Sequence, residues 1–184
     1  IAIKAGQNLL SKLNHDISKE ISFIVVASMS SFSPTPSLAN QVQAALGATN
    51  AWAVDINAAC SGFIMALELA NQVSRNYSNG YTLVIGAEKM SNILNFEDRS
   101  TAVLFGDGAG AVLIKNDGQQ LKGYQHYLAT ASDEALSIHL KRQEEKFFLT
   151  MLGRDVFNFV NRTVINSLQD FIEIHQLSFD YLIC

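Results

Sequence analysis

The sequence predicts an α/β fold with a largely parallel central sheet, and three observations carry that reading. Residues 21–28 (ISFIVVAS) and 81–87 (YTLVIGA) are short, continuous apolar runs, and 51–56 (AWAVDI) reads as another strand. Runs of this kind, rich in β-branched residues, belong to strands covered on both faces. Segments of helical spacing lie between them, and strands alternating with helices build parallel sheets. Charge is also scarce where these elements fall: between Ile21 and Tyr81 only Asp55, Glu68 and Arg75 are charged. Across all 184 residues the charged share is 16% and the hydrophobic share 48%, against about 25% charged in a typical domain. The deficit fits a large internal core, or a core plus a subunit interface. The second is favoured, because ~60 residues are many for one small domain to hide.

Each element follows from local pattern. Residues 2–13 place Ile3, Leu9, Leu10 and Leu13 at helical steps, ending near Asn14. The strand at 21–28 runs into a Ser/Pro loop over 29–36. Ser37 caps a helix that reaches Leu46 and is closed by Gly47. After the strand at 51–56, residues 58–77 read as a helix that is apolar nearly all round and therefore buried. Asn79-Gly80 marks a turn before the strand at 81–87. A loop holding Asp98-Arg99 leads through a short helical or irregular piece to Phe105. The glycine-rich stretch 106–110 precedes a strand at 111–115, with 123–131 as its expected antiparallel neighbour. Residues 137–146 are charged and exposed, and 147–150 form a short strand. A long helix follows over 151–176, with Val156, Phe159, Val160, Ile165, Leu168 and Ile172 at three- and four-residue steps. Residues 179–184 (FDYLIC) begin another strand. No solenoid repeat or low-complexity segment is present.

Composition narrows the function classes. With 13 basic and 17 acidic side chains, a net charge of −4 gives no electrostatic reason to expect a nucleic acid or an anionic membrane as partner. Cys60 and Cys184 do not make a disulfide framework, so a reducing, cytoplasmic setting is the simplest expectation. The chain opens on Ile1 with no charged-then-apolar leader, as expected of a processed, trimmed or partial chain. Every apolar run falls short of the ~18 residues of a membrane span.

The chemistry centres on Cys60, which lies between a strand and an apolar helix. Free N–H groups and the helix dipole at such a position favour a thiolate, the nucleophile of covalent acyl transfer. Small neighbours (Ala58, Ala59, Ser61, Gly62) leave room for a substrate. The same residue also fits a buried, inert cysteine. The run FGDGAGAVLI fails as a phosphate loop, because a strand-like segment rather than a helix follows it. Its glycines fit close backbone approach at a sheet or an active-site wall. Arg99 reads as a solvated ion pair with Asp98, with binding of a nucleotide's phosphates or adenine as the alternative. His15, His126, His139 and His175 are scattered without metal-ligand spacing, so no metal site is expected. No base partner for Cys60 is evident.

Three ordered motifs stand out: VDINAACSGF at 54–63, Asp98-Arg99-Ser100-Thr101 with FGDGAGA at 105–111, and MLGRDVF at 151–157. In that order they resemble the nucleophile motif, the second block and the third block of the β-ketoacyl-acyl-carrier-protein synthase III family of condensing enzymes. Pro36, Ser37, Gln41, Leu46 and Gly47 match the helix before the nucleophile. The resemblance implies a thiolase-like fold of layered α/β/α/β/α architecture, here incomplete. Residues 1–116 would be part of the N-terminal half with the nucleophile. Residues 117–184 would be the remainder of that half, an exposed insertion and the start of the C-terminal half. It further implies initiation of fatty acid synthesis by decarboxylative condensation of an acyl-CoA, usually acetyl-CoA, with malonyl-acyl carrier protein. The reaction would run through acyl-Cys60 in a cytoplasmic homodimer, with the CoA thioester as substrate and no separate cofactor.

The motif positions imply that Arg99 contacts the nucleotide end of CoA, that Met90 and Phe105 line the acyl pocket, and that Gly153 lies beside the pantetheine channel. Thr35 falls where the partner subunit reaches the acyl pocket, and its small size implies room for an acyl group larger than acetyl. The family's catalytic His and Asn would fall after Cys184, so the 184 residues alone are expected not to condense. Three other readings remain open. One is a related thiolase-fold acyltransferase of secondary metabolism, and one a non-catalytic subunit of a heterodimeric synthase. A cysteine hydrolase is the third, although the chain offers no clear His base for it.

Overall fold

A computed structural model describes residues 1–31, 34–119 and 123–182. These divide into two compact units, 1–92 with 105–124 and 93–104 with 125–184. The first unit is built on a four-stranded sheet. Its strands are β1 (Ile21–Ala27), β2 (Trp52–Ile56), β3 (Tyr81–Lys89) and β4 (Asp107–Lys115), in spatial order β2-β1-β3-β4. β1 is parallel to both neighbours, and β4 closes the edge antiparallel to β3. The expected α/β class and largely parallel sheet are therefore present.

Helices cover both faces, which is why β1 and β3 read as continuous apolar runs. On one face α1 (Ala2–Leu10) and α2 (Leu38–Leu46) bury Ile24, Val26, Leu83, Ile85 and Ala87. On the other, α3 (Gly62–Ser74) covers Phe23, Val25, Ala27 and Val84. A register irregularity between Ile21 and Phe23 lets Ile21 pack with the first group and Phe23 with the second.

α2 starts and stops as its sequence demands. The Ser37 side chain accepts the Asn40 N–H at 3.2 Å, and Gly47 ends the helix at φ +66°. Asp55 explains its own presence in an apolar strand: its carboxylate accepts the N–H groups of Leu38 and Ala39 at 2.7 and 2.6 Å. These are orphan donors at a helix start, where the dipole favours an anion. Asp55→Ala is expected to cost about 2 kcal/mol, with Asp55→Asn between it and wild type, read as the shift in a urea unfolding midpoint. At the other tight turn, Gly80 sits at φ +83°, and a Cβ there would lie 2.4 Å from the Glu20 carbonyl oxygen.

Several expectations are corrected. α1 stops at Leu10, because Lys12 and Leu13 turn their N–H groups back to Leu9 and Leu10. α3 is buried on one side only. Gly62, Ala66, Glu68, Ala70, Asn71 and Ser74 are buried and Phe63, Leu67, Leu69 and Val73 pack against the core, while Ile64 stands half exposed. The sheet supplies a partner for one face of the helix, not for the other. The glycine run lies inside β4 rather than before it. Residues 123–131 do not pair with β4, whose ladder is made with β3.

The second unit holds α4 (Arg99–Ala102) and a hairpin of β5 (Ile138–Gln143) and β6 (Lys146–Met151). The stretch expected only to be charged and exposed thus supplies a strand. The Leu149 N–H of β6 donates to the Ile93 carbonyl at 2.7 Å. The long helix is α5 (Gly153–Phe159), a π-helical turn (Val160–Val164) and α6 (Ile165–Ile174). It begins two residues later than expected because Met151 ends β6. Residues 179–182 form no strand: among the described residues none pairs with them, and Tyr181 is exposed. Cys184 lies outside the described residues. No described helix is long and apolar enough to cross a membrane.

Candidate active site

Cys60 stands at the carboxyl end of the parallel strands, where open α/β sheets bind ligands. β2 ends at Ile56, and a 3₁₀ turn (Ala59–Ser61) swings the chain into α3. The turn is sharp enough to force Ala59 to φ +46°, a region non-glycine residues rarely adopt. Such a residue costs of order 1–3 kcal/mol and persists where its surroundings impose it. Here the Asn57 side-chain oxygen accepts the Ala59 N–H at 3.2 Å, and the Ser61 N–H donates to the Ala58 carbonyl at 3.1 Å. The result is an exposed Cys60 thiol at the amino end of a 13-residue helix. Cys60 is therefore not buried, contrary to the second of its two readings.

Beneath the thiol lies a cavity of about 350 Å³. One wall is Ala59, Cys60 and Phe63, and the floor is the edge of the sheet where β3 meets β4. Gly86 faces Phe63: a Cβ there would lie 3.0 Å from the ring. The ladder sets Gly86 opposite Gly110 and Glu88 opposite Gly108. Side chains alternate across a strand, so these four positions share the face beneath α3. Three of them have no side chain. An added Cβ at Gly108 or Gly110 would meet nothing within 4 Å. The expected close backbone approach is therefore corrected: Gly108 and Gly110 leave a trough, and the trough is the cavity. Gly110→Ala is expected to change stability by less than about 0.5 kcal/mol, since nothing clashes. Thermal melts of Gly110→Ala check this, and a destabilisation above about 1 kcal/mol would show that the trough is filled.

Glu88 is a site residue that sequence reading missed. Its carboxylate accepts the N–H groups of Met29 and Ser30 at 2.9 and 3.1 Å, and the Ser30 hydroxyl. The Ser30 oxygen in turn accepts the Lys89 N–H at 2.7 Å. This clamp ties the end of β3 to the loop leaving β1. The available signal was an acidic residue closing an otherwise apolar strand.

The other expected site residues are dispersed. Met90 is buried in a 3₁₀ turn (Met90–Asn92) just past β3, Phe105 is half-buried before β4, and Thr35 is exposed beside a cis bond to Pro36. None of the three lines the cavity. Arg99 and Gly153 belong to the second unit, where each opens a short helix and is exposed. The ion pair expected between Asp98 and Arg99 is not formed. Asp98 caps α4 instead, accepting the Ser100 N–H at 2.9 Å and the Ser100 hydroxyl at 2.6 Å. Those bonds hold its carboxyl below the ordinary carboxylate range. Among the described residues no carboxylate lies in salt-bridge range of Arg99, no histidine lines the Cys60 cavity, and no three His, Cys, Asp or Glu cluster as a metal site.

Comparison with known proteins agrees with this geometry. Residues 54–132 match the family model described as 3-Oxoacyl-[acyl-carrier-protein (ACP)] synthase III. A β-ketoacyl-[acyl-carrier-protein] synthase III of Streptococcus equi subsp. zooepidemicus is 42% identical over 200 residues, covering all of this chain and 60% of that protein. Two solved synthase III structures share the fold. That of Aquifex aeolicus is 35% identical with a TM-score of 0.75, covering 94% of this chain and 55% of that one. That of Thermus thermophilus is 30% identical with a TM-score of 0.77, covering 96% and 57%. The chain thus spans about 60% of the length of the curated relatives it matches. Along its whole length the chain is thus similar in sequence to 3-oxoacyl-[acyl-carrier-protein] synthase III proteins, and its fold is the thiolase-like α/β architecture of their solved structures.

Proposed function

We propose that the protein carrying this chain is an acyltransferase of fatty acid synthesis. It condenses a short acyl-CoA with malonyl-acyl carrier protein and works as a cytoplasmic homodimer without a separate cofactor. The observation that carries the reading is the exposed Cys60 thiol over a small, glycine-floored cavity at the carboxyl ends of parallel strands. A nucleophile placed there has room for an acyl group and little else.

In the first half-reaction Cys60 Sγ attacks the thioester carbonyl. A C–Sγ bond forms, the bond to the CoA sulfur breaks, and the thiol proton ends on free CoA. The tetrahedral intermediate carries an oxyanion that needs fixed donors, and the Cys60 N–H at the start of α3 is one of the family's two. In the second half-reaction the malonyl group loses CO2 and its carbanion attacks the acyl-Cys60 carbonyl; a C–C bond forms, the C–Sγ bond breaks, and Cys60 leaves as the thiolate. The enolate donors, a His and an Asn in the family, are not among the residues lining this cavity. Arg99 and Gly153 keep the CoA-binding roles assigned by motif position, whereas Met90, Phe105 and Thr35, assigned there to the acyl pocket, do not line this cavity.

The test supplies the full-length protein with acetyl-CoA and malonyl-acyl carrier protein. The expected product is a 3-oxoacyl carrier protein, with acyl-Cys60 as the intermediate. Labelled Cys60 without chain extension would favour an acyltransferase acting on a different acceptor. No label at all would favour a scaffold subunit.

A further inference from the structure

We propose that Glu88 is a specificity-determining residue: it refuses acyl groups that end in a carboxylate, so that Cys60 is loaded from neutral acyl thioesters. This rests on the reading of Cys60 as the acyl carrier, and names which acyl chemistry that site takes.

The argument starts from the strand register. Gly86 faces Phe63 of α3, and period-two alternation puts Glu88 on the same face, toward the cavity. Among the described residues lining that cavity Glu88 is the one with a charge; the others are alanines, glycines, Cys60 and Phe63. The residue facing Glu88 across the ladder is Gly108, so no side chain stands between the carboxylate and the trough. Both carboxylate oxygens accept hydrogen bonds, Oε1 from the Met29 N–H and Oε2 from the Ser30 N–H and hydroxyl. The donors are two backbone N–H groups and a hydroxyl, dipoles that fix the charge in place without cancelling it. Lys89 does not cancel it either, because alternation turns its side chain to the opposite face, where it borders a separate cavity.

An acyl group entering this trough therefore meets apolar walls and one fixed negative charge. A neutral chain loses little by it. A chain ending in a carboxylate brings a like charge toward a group that cannot move away, which is discrimination by repulsion. The consequence bears on the order of the proposed reaction. The malonyl group of the second substrate carries a carboxylate, and would be turned away from Cys60 as a loading group while remaining competent as the extender.

The experiment loads Cys60 of the full-length protein from three CoA thioesters and follows the acyl-enzyme by intact mass. The probes are acetyl-CoA, succinyl-CoA, and succinamoyl-CoA, the neutral amide of equal length. In the wild type the amide is expected to load at least about tenfold faster than the acid, the scale of a like charge a few ångströms away in a partly desolvated site. In Glu88→Gln the ratio of amide to acid is expected to fall to within about twofold of unity, whatever happens to the rate common to both. A merely structural role would slow both probes together and leave the ratio unchanged. Equal loading of acid and amide by the wild type overturns the proposal, as does a ratio that survives in Glu88→Gln. Loading by acetyl-CoA with exclusion of both four-carbon probes also overturns it, since size would then decide. If Glu88→Gln fails to fold, the wild-type pair decides alone. If no neutral probe loads Cys60, the acyl-carrier reading fails first.

Discussion

Cys60→Ala is expected to abolish acyl loading from acetyl-CoA and to lower 3-oxoacyl product by at least about a thousandfold, the usual consequence of removing a covalent nucleophile. The thiol is exposed and accepts no structural burden, so the fold should hold. A thermal melt should show stability within about 0.5 kcal/mol of wild type, as for other surface substitutions. That pairing makes the result interpretable: activity vanishes while the melt stays put. The strain beside the thiol supports the same view. Ala59 holds φ +46° for no packing gain, and strained backbone of this kind clusters at functional sites. Cys60→Ser separates nucleophilicity from shape, because it keeps a small polar group on the same turn. It should load at a small fraction of the wild-type rate. Undiminished label in Cys60→Ala would move the nucleophile elsewhere and with it the proposed reaction.

What could be read in advance depended on whether the information was local. β1 and β3 were legible because a strand covered on both faces must be largely apolar, and 21–27 and 81–87 are, Ser22 and Thr82 apart. α2 was legible to the residue because its cap, Ser37, and its stop, Gly47, act within one turn of themselves. The strand expected at 179–184 depended on a neighbour to pair with, which no local pattern supplies; among the described residues none pairs with 179–182. The glycines of β4 were noticed but misread. Glycine permits both close approach and open space, and the sequence does not say which. The register against β3, with Gly86 opposite Gly110, decides for open space. Cys60 was legible from its small neighbours and its place between strand and helix. Glu88 was not, because its meaning comes from Met29 and Ser30, nearly sixty residues earlier.

Phe23→Ala is the substitution expected to harm stability most. Phe23 is fully buried beneath α3, and its ring stacks on Trp52 with centroids 4.0 Å apart. The Trp52 indole N–H donates to the Tyr77 hydroxyl at 2.9 Å. One ring therefore joins β1 to edge strand β2 and, through Trp52, to the segment following α3. Truncation removes the six ring carbons and leaves a void that α3 cannot fill without leaving the sheet, so a loss of about 3–5 kcal/mol is expected. Set against a typical total of about 5–15 kcal/mol, that brings the protein near its threshold. Phe23→Leu, which fills most of the space, should cost about 1–1.5 kcal/mol. Urea unfolding checks both; a Phe23→Ala midpoint equal to wild type would show that α3 does not lean on this ring. The contrast with the trough is physical. Gly108 and Gly110 leave space where a substrate must enter, and Phe23 fills space where α3 must be held. The two demands fall on one face of one sheet, because the helix that carries Cys60 rests on both.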